Sequence, residues 1–268
     1  MPGPHVRINR RTMLATGAGA FVAATSGRLP AAAPAADLLE HRVISHLSHR
    51  YHGWPTLARR KNGQLLLVCS GGRDSHVCPF GRVELMRSDD GGRTWTWPQT
   101  LIDTAIDDRD AGVLETSRGT LLVTTFTSLA FEKKQYTPKP SDKRFTAWRA
   151  ARDRVPPATR QKMLGEWMIR SIDGGRSWSA PFRCHVNSPH GPVQLADGGL
   201  LYAGKELYHG QHRIGVCHSA NDGVSWKWLA AIPTRPGDDP NQYHELHAVE
   251  AAGGRMVVHI RNHNAPNA

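Results

Sequence analysis

The chain has 268 residues, of which 39% are hydrophobic, which is enough to bury a sizeable core and too many for a disordered chain. Its formal net charge is +11, but most basic residues are scattered. Because no stripe of interleaved basic and aromatic residues is present, the sequence argues against a nucleic-acid partner. The hydrophobic fraction predicts a globular protein.

The amino-terminal segment, residues 1–36, differs from the rest of the chain. Arg10 and Arg11 precede the weakly apolar run "TMLATGAGAFVAATSG", and no acidic residue occurs before Asp37. This pattern predicts an export signal of the twin-arginine type, which carries folded proteins across a bacterial inner membrane. The run is too short, and too rich in Gly, Ala and Thr, for a stable membrane anchor. We therefore expect a periplasmic or extracellular protein whose folded domain spans residues 37–268.

Three eight-residue stretches share the pattern S-x-D/N-x-G-x-T/S-W: "SDDGGRTW" from Ser88, "SIDGGRSW" from Ser171 and "SANDGVSW" from Ser219. Ser and Asp or Asn side chains hydrogen-bond nearby backbone N–H groups, and Gly accepts a left-handed conformation. Each stretch is therefore predicted to be a hairpin turn with a structural role. Its final Trp is expected to pack between sheets.

A second pattern of strand, Gly-containing turn and strand precedes each of these turns and occurs once more near the end of the chain. Combined with the following hairpin, it forms a four-stranded antiparallel unit. Repetition of such a unit is typical of a β-propeller, whereas a β-sandwich would not explain two hairpins that recur in phase. The four copies of the second pattern begin at Gly53, Arg109, His190 and Glu245.

The predicted blades have unequal lengths. The first spans about residues 50–98 and the third about residues 188–230, whereas the second contains an insertion at about residues 130–165. The insertion is polar and basic, and we expect it to be a solvated surface loop that is partly helical.

The repeated turn resembles the Asp box, or BNR repeat, and its spacing within four-stranded blades resembles the sialidase (neuraminidase) superfamily. The resemblance covers residues from about 45 to the end and implies an all-β, six-bladed β-propeller. This chain would supply about three and a half of those blades, so it is expected to be a truncated form or fragment. Asp boxes also occur in propellers that hydrolyse nothing, so they indicate the fold more strongly than the activity.

The topology of a four-stranded blade predicts where a ligand would bind. The first strand begins, and the second ends, at the end of the blade opposite the eight-residue turn. Side chains at these positions should converge near the propeller axis, and their acids, arginines and histidines suit an anionic sugar, whose carboxylate pairs well with planar guanidinium groups. The candidate site residues are His52, Arg73, Asp74, Arg109, Asp110, His190, Glu245 and Arg261.

The resemblance implies roles for three of these residues in an exo-α-sialidase-like glycoside hydrolase that removes a terminal acidic sugar. Glu245 corresponds to the carboxylate partner of a nucleophilic tyrosine, which forms a covalent glycosyl-enzyme in a retaining reaction. Arg261 corresponds to an arginine that binds the substrate carboxylate. Asp74 corresponds to the acid/base that protonates the leaving group and then activates water, and His76 is its competitor in the same loop. The remaining five candidates are expected to bind substrate.

Two departures from the family pattern affect these expectations. Gly53, Trp54 and Pro55 occupy the place of a motif that supplies the first arginine of a triad. His52, Arg50 and Arg109 are the candidate replacements. The third arginine and the nucleophilic tyrosine are not found in this chain, so catalysis is expected to be incomplete in it as given.

The alternative function is a propeller that binds glycans or proteins without hydrolysis. We predict no cofactor and no metal site, because His244 and His247 are three positions apart on a predicted strand, whereas the zincin motif places His at i and i+4 on a helix. The four cysteines are too few and too irregularly spaced for a disulfide scaffold. Their pairing, the sugar, its linkage and the oligomeric state are left open by the sequence.

Overall fold

The computed structural model describes residues 40–45, 47 and 49–264. The predicted export signal, residues 1–36, lies outside the described residues. The described part of the chain contains three four-stranded antiparallel sheets and one two-stranded sheet. These are three complete propeller blades and the inner half of a fourth, which confirms the predicted all-β architecture.

Within each complete blade the strands are paired in chain order. The first blade consists of β1 (Tyr51–Arg59), β2 (Leu65–Arg73), β3 (Arg82–Ser88) and β4 (Gln99–Ile102). The second consists of β5 (Asp107–Glu115), β6 (Leu121–Ser128), β7 (Glu166–Ser171) and β8 (Phe182–Arg183). The third consists of β9 (Val193–Gln194), β10 (Leu200–Lys205), β11 (Ile214–Ser219) and β12 (Lys227–Ala231). The half blade consists of β13 (Tyr243–Ala251) and β14 (Arg255–Asn262).

Apolar side chains fill the spaces between neighbouring blades. Leu66 of the first blade and Val123 of the second belong to one buried cluster. Leu122 of the second blade and Leu200 of the third belong to another, and Leu246 of the half blade joins a third cluster with side chains of the third blade. Burial of one such side chain contributes about 1.5–3 kcal/mol relative to leaving it exposed. The blades are therefore held together by apolar contacts on their broad faces.

The three eight-residue turns have closely similar hydrogen bonds. In the middle turn the Ser171 hydroxyl donates to Asp173 over 2.7 Å and accepts from the Gly175 N–H over 2.7 Å. The Asp173 carboxylate accepts from the backbone N–H and the hydroxyl of Ser177. These hydrogen bonds, led by the Ser177 hydroxyl, hold the pKa of Asp173 below its usual range. In the third turn Asn221 takes the place of the aspartate: its Oδ1 accepts from the Ser225 N–H, and its Nδ2 donates to the Ser225 hydroxyl.

Consecutive turns lie beside one another at one end of the propeller. The Arg87 guanidinium, just before the first turn, donates to the carbonyls of Gly174 and Gly175 in the second turn. Arg170, just before the second turn, donates to the Asp222 carbonyl in the third. Each arginine therefore joins its own blade to the turn of the next, and this end of the propeller carries all three turns.

A backbone irregularity recurs at the opposite end. Trp54 in β1, Asp110 in β5 and Glu245 in β13 each have a φ of 51°, and each lies where the pairing register of its strand shifts. A β-bulge with a left-handed residue changes the direction of the side chains around it, and a non-glycine residue is strained there. Three inner strands thus carry the same strained bulge at the end where a ligand site was predicted.

The insertion in the second blade lies between β6 and β7 and contains α1 (Phe145–Asp153) and α2 (Pro157–Lys162). It is partly helical, as expected, but it does not project into solvent as a loop. Trp148 of α1 and Phe131 are buried with Val77 and Cys78 of the β2–β3 loop. The insertion is therefore packed against the first blade at the end opposite the turns.

Candidate functional site

Trp54 lies at the centre of a cluster of side chains from the first two blades. The Arg109 guanidinium carbon lies 4.4 Å from the centre of the Trp54 ring, and that of Arg73 lies 5.3 Å from it. The His76 ring is 5.0 Å away on the same indole. Contacts of this kind between a guanidinium and an indole face are favourable, most of all when they are shielded from water. The bulge at Trp54 therefore positions an aromatic surface against two arginines.

Arg109 and Asp110 are buried neighbours whose polar groups are incompletely bonded. The Arg109 Nε lies 4.0 Å from Asp110 Oδ1, too far for a hydrogen bond. Among the described residues, neither of these two buried atoms has a hydrogen-bond partner. Because buried polar atoms are nearly always bonded to protein or water, this pair offers a donor and an acceptor to a water or a ligand group.

The Asp110 carboxyl is adapted to exchange a proton near neutral pH. Burial raises its pKa to about 7; the charges of Arg109 and Arg73 act in the opposite direction, and that of Glu245 adds to the rise. A buried carboxyl with such a pKa can be present both as an acid and as a base at neutral pH.

Glu245 and Arg261 are brought together across the half blade. Glu245 lies at the bulge of β13 and Arg261 near the end of β14, and Arg261 Nη1 donates to Glu245 Oε1 over 2.5 Å. The Arg261 side chain is 54% exposed, so it can reach a ligand from the solvent side. Its charge and that of Arg109 both lower the pKa of His76, after the larger effect of burial, which places Arg261 within electrostatic reach of the Trp54 cluster.

Arg73 lies beside this cluster but is engaged within the protein. Its side chain is fully buried and forms a two-pronged ion pair with Asp107, at 2.5 and 2.9 Å. Its remaining N–H groups donate to the Ser70 hydroxyl and to the carbonyls of Ser75 and His76. Arg73 therefore fixes the β2–β3 loop to the second blade.

Asp74 and His76 lie on the same loop but face different surroundings. Asp74 accepts hydrogen bonds from Arg50 over 2.5 Å and from the Trp148 indole of the insertion over 3.1 Å. His76 instead lies 3.3 Å from the hydroxyl of Tyr51, beside Trp54. The structure thus directs Asp74 towards the insertion and His76 towards the Trp54 cluster.

The two remaining predicted residues have other contacts. His52 Nε2 lies 3.7 Å from Glu84 Oε2 within the first blade. The His190 ring is exposed and lies 5.2 Å from the ring of His247. Neither contact involves the Trp54 cluster.

Trp54 follows Gly53 at the start of a predicted inner strand, so the topology placed it among the side chains that should converge near the propeller axis. It was not, however, among the candidate site residues. The informative signal is that Trp54, Asp110 and Glu245 share the same bulge, and this depends on strand register.

The cysteines and histidines form no further recognisable centre in the described residues. Cys69, Cys78, Cys184 and Cys217 are all buried and free. Within the described ranges, no group of three or more His, Cys, Asp or Glu residues is arranged to hold a metal ion. None of the helices in that part of the chain is long and apolar enough to span a membrane.

Comparison with known proteins gives matches at the level of structure only. No family model and no curated protein matches the sequence. A protein of unknown function from Dyadobacter fermentans superimposes with a TM-score of 0.63 at 19% identity, over 83% of this chain and 65% of that one. The Hadza microbial sialidase Hz136 gives a TM-score of 0.57 at 17% identity, over 79% of this chain and 42% of its own.

The intramolecular trans-sialidase from Ruminococcus gnavus, solved with oseltamivir carboxylate, gives a TM-score of 0.54 at 12% identity. That match covers 79% of this chain and 66% of the trans-sialidase. The chain therefore spans about two thirds or less of the length of each of these neighbours. At such low identities the likeness concerns the fold alone, and it confirms the predicted architecture: the chain has a β-propeller fold like that of the sialidases that it matches.

Proposed function

We propose that this chain is part of a glycoside hydrolase-like propeller that binds the terminal acidic sugar of a glycan, in the manner of an exo-α-sialidase. The observation that carries the proposal is that Trp54, Asp110 and Glu245 each lie at a strained bulge at the same end of the propeller, with Arg109 over the Trp54 ring and Arg261 paired with Glu245. Strained residues and incompletely bonded buried polar atoms are concentrated at functional sites.

The two arginines are suited to the carboxylate of an acidic sugar. Arg261 is exposed on the solvent side, whereas Arg109 is buried with an unused Nε donor. A carboxylate between them would receive charge-assisted hydrogen bonds from both sides. Arg109 was one of the three replacements expected for the missing first arginine, and we assign that role to it.

Trp54 would then contact the sugar ring, and Asp110 and Glu245 would transfer protons in the reaction. The Trp54 indole offers an apolar surface for the C–H face of the ring. Glu245 would withdraw a proton from the nucleophile of the retaining reaction. We assign the leaving-group proton to Asp110, because its raised pKa suits that step, and keep Asp74 as the alternative.

The segment from 1 to 36 is proposed to direct export, and residues 37–268 to form the propeller portion. The protein would then act on glycans in the periplasm or outside the cell. This part of the proposal depends on the paired arginines Arg10 and Arg11 and the apolar run that follows them.

The test is binding and turnover of 3′-sialyllactose by the full chain, with lactose as the neutral comparison. We expect sialyllactose to bind and lactose not to bind. Arg109→Lys and Arg261→Lys should each weaken binding roughly tenfold, because an ammonium cannot provide the paired donors of a guanidinium. Arg176→Lys, an exposed change in the second turn, is the control. Equal binding of lactose and sialyllactose would contradict the proposal.

Glu245→Gln separates hydrolysis from binding without hydrolysis. If the propeller is hydrolytic, this change should leave sialyllactose affinity nearly unchanged and, in a form of the protein that also carries the nucleophilic tyrosine not found in this chain, should lower release of free sugar by roughly 10²–10⁴-fold. The second candidate, glycan binding without hydrolysis, is favoured by the Arg261–Glu245 ion pair, which already occupies the carboxylate. It predicts sialyllactose binding with no release of sugar by either protein.

A further inference from the structure

A second concave site lies between the insertion and the first blade, separate from the Trp54 cluster. It is a pocket of about 500 Å³, which falls within the usual range for small ligands of about 300–1,000 Å³. We call it the insertion pocket. Its cationic lining residues are Arg50, Arg82, Lys143, Arg144 and Arg154.

The walls of the insertion pocket are fixed by packing. Trp148 and Phe131 of the insertion are buried against Val77 and Cys78 of the β2–β3 loop. The Trp148 indole also donates to Asp74, which lines the pocket. Because both walls belong to one packed cluster, the pocket is formed before any ligand binds.

The charge of the insertion pocket is positive and partly unneutralised. Asp74 and Asp103 are its only acidic lining residues among the described part of the chain. Arg50 is paired with Asp74, and Lys143 and Arg154 are exposed, with no ion pair recorded for either among the described residues. A concave surface with an excess of one charge concentrates ligands of the opposite charge.

The insertion pocket also lies next to the proposed sugar site. The loop between β2 and β3 forms a shared wall: His76 faces Trp54 and Tyr51, whereas Asp74 and Phe80 face the pocket. A glycan whose terminal sugar occupied the Trp54 cluster could therefore continue across this loop into the pocket.

We propose that the insertion pocket is a subsite for an anionic group, a sulfate ester or a carboxylate, on a second sugar of the same glycan. Guanidinium and ammonium groups of Arg154 and Lys143 would bind the oxyanion. Asp103 would accept hydrogen bonds from sugar hydroxyls, and Phe80 would contact the ring. The inference rests on the proposed function for its placement in the glycan, and it narrows the substrate class to glycans with more than one acidic group.

The experiment measures binding of defined probes to the full chain by isothermal titration calorimetry. The probes are sulfated maltohexaose, an oligogalacturonate of equal length, unmodified maltohexaose and inorganic sulfate. We expect an anionic oligosaccharide to bind and maltohexaose not to bind. Tighter binding of the sulfated probe identifies a sulfate ester as the ligand group, and tighter binding of the oligogalacturonate identifies a carboxylate. Binding no tighter than that of inorganic sulfate would overturn the proposal.

A matched pair of double variants locates the binding. Lys143→Gln with Arg154→Gln should weaken binding of the anionic oligosaccharide by roughly tenfold or more, because two unneutralised cations are lost. Lys134→Gln with Arg176→Gln removes the same charge from exposed positions outside the pocket and should change affinity less than about twofold. An equal loss in both variants would overturn the proposal, since it would show attraction by overall charge. The melting temperature of each variant checks its folding.

Failure of the proposed function is distinguishable from failure of this inference. The pocket variant should leave affinity for 3′-sialyllactose unchanged. If sialyllactose does not bind but the anionic oligosaccharide binds through Lys143 and Arg154, only the proposed function fails. If sialyllactose binds and both double variants behave alike, only the subsite fails.

Discussion

At the end of the propeller that carries the three turns, short polar side chains are bonded within their own turn. At the opposite end, some buried polar atoms leave their bonding capacity unused. Ser171 and Asp173 bond four residues or fewer away. Arg109 Nε and Asp110 Oδ1 are buried and, among the described residues, have no hydrogen-bond partner. The first arrangement favours a stable hairpin, and the second leaves a donor and an acceptor for a ligand to bond.

The difference indicates which residues a propeller can vary. The turns depend on local hydrogen bonds, so they recur with the same residue types in all three complete blades. The residues at the opposite end depend on contacts between blades and differ from one blade to the next. Repetition therefore indicates structure in this chain, and departure from repetition at an equivalent position indicates function.

The largest expected effect concerns Arg73, which lies at the ligand end but is bonded as completely as any turn residue. Arg73→Met would leave the buried Asp107 carboxylate without its two-pronged partner, with Arg109 Nη1 3.5 Å away as its remaining cation, and should cost about 3 kcal/mol of unfolding free energy. Chemical denaturation measures this loss. Arg176→Met, at an exposed position, is the control. A loss below about 1 kcal/mol would mean that Arg73 is not a structural residue. Arg73 would then no longer be an exception to the difference between the two ends.

The next effect concerns Asp110 and depends on pH. Its pKa is about 7 in the folded protein because of burial, against about 4 in an unfolded chain. The folded state therefore holds a proton that the unfolded state releases, so this group lowers stability by roughly 1.4 kcal/mol per pH unit as pH rises from about 4 to about 7.

Asp110→Asn removes this titration while keeping a residue that tolerates a left-handed conformation. We expect its unfolding free energy to match that of the parent near pH 4 and to exceed it near pH 8. Asp108, whose pKa burial raises to about 8, titrates in both proteins, so the difference between the two curves isolates Asp110. If the unfolding free energies of the two proteins changed in parallel from pH 4 to 8, the pKa of Asp110 would not be raised by burial.

The smallest effect concerns the turns. Ser171→Ala removes the acceptor of the buried Gly175 N–H and should cost about 1–2 kcal/mol of unfolding free energy. Ser141→Ala, an exposed change in the insertion, should have no measurable effect. Thermal or urea unfolding measures both. Equal stability of the two variants would mean that the turns are held by the chain on either side and not by their own hydrogen bonds.

Most of the fold could be predicted from the sequence because its signals are local. The turn hydrogen bonds join residues at most four positions apart, and each turn follows a short apolar segment. The same topology predicted a ligand site at the end opposite the turns, and that location stays a prediction. The packing of the insertion was not predicted, because Trp148 contacts residues of the β2–β3 loop that are far from it in the chain.

The candidate site was harder to predict because its arrangement depends on register and on distant partners. Arg73 was expected to bind substrate, and it pairs with Asp107, 34 positions along the chain. Asp74 was expected beside Glu245 and Arg261, and its contacts are with Arg50 and Trp148. No local pattern reveals which cation an acid will meet across two blades. The roles of Arg73 and Asp74 in binding or catalysis therefore stay predictions.

The bulge shared by Trp54, Asp110 and Glu245 limits how this protein can acquire new specificity. Each of the three positions has a φ of 51°, a conformation that glycine, asparagine and aspartate accept more readily than other residues. The set of side chains available there through single mutations is therefore narrow, and a bulky residue such as tryptophan persists only when the surrounding blades hold it. Diversification should instead proceed through the loops that connect strands, and the insertion between β6 and β7 of the second blade is an example of that route.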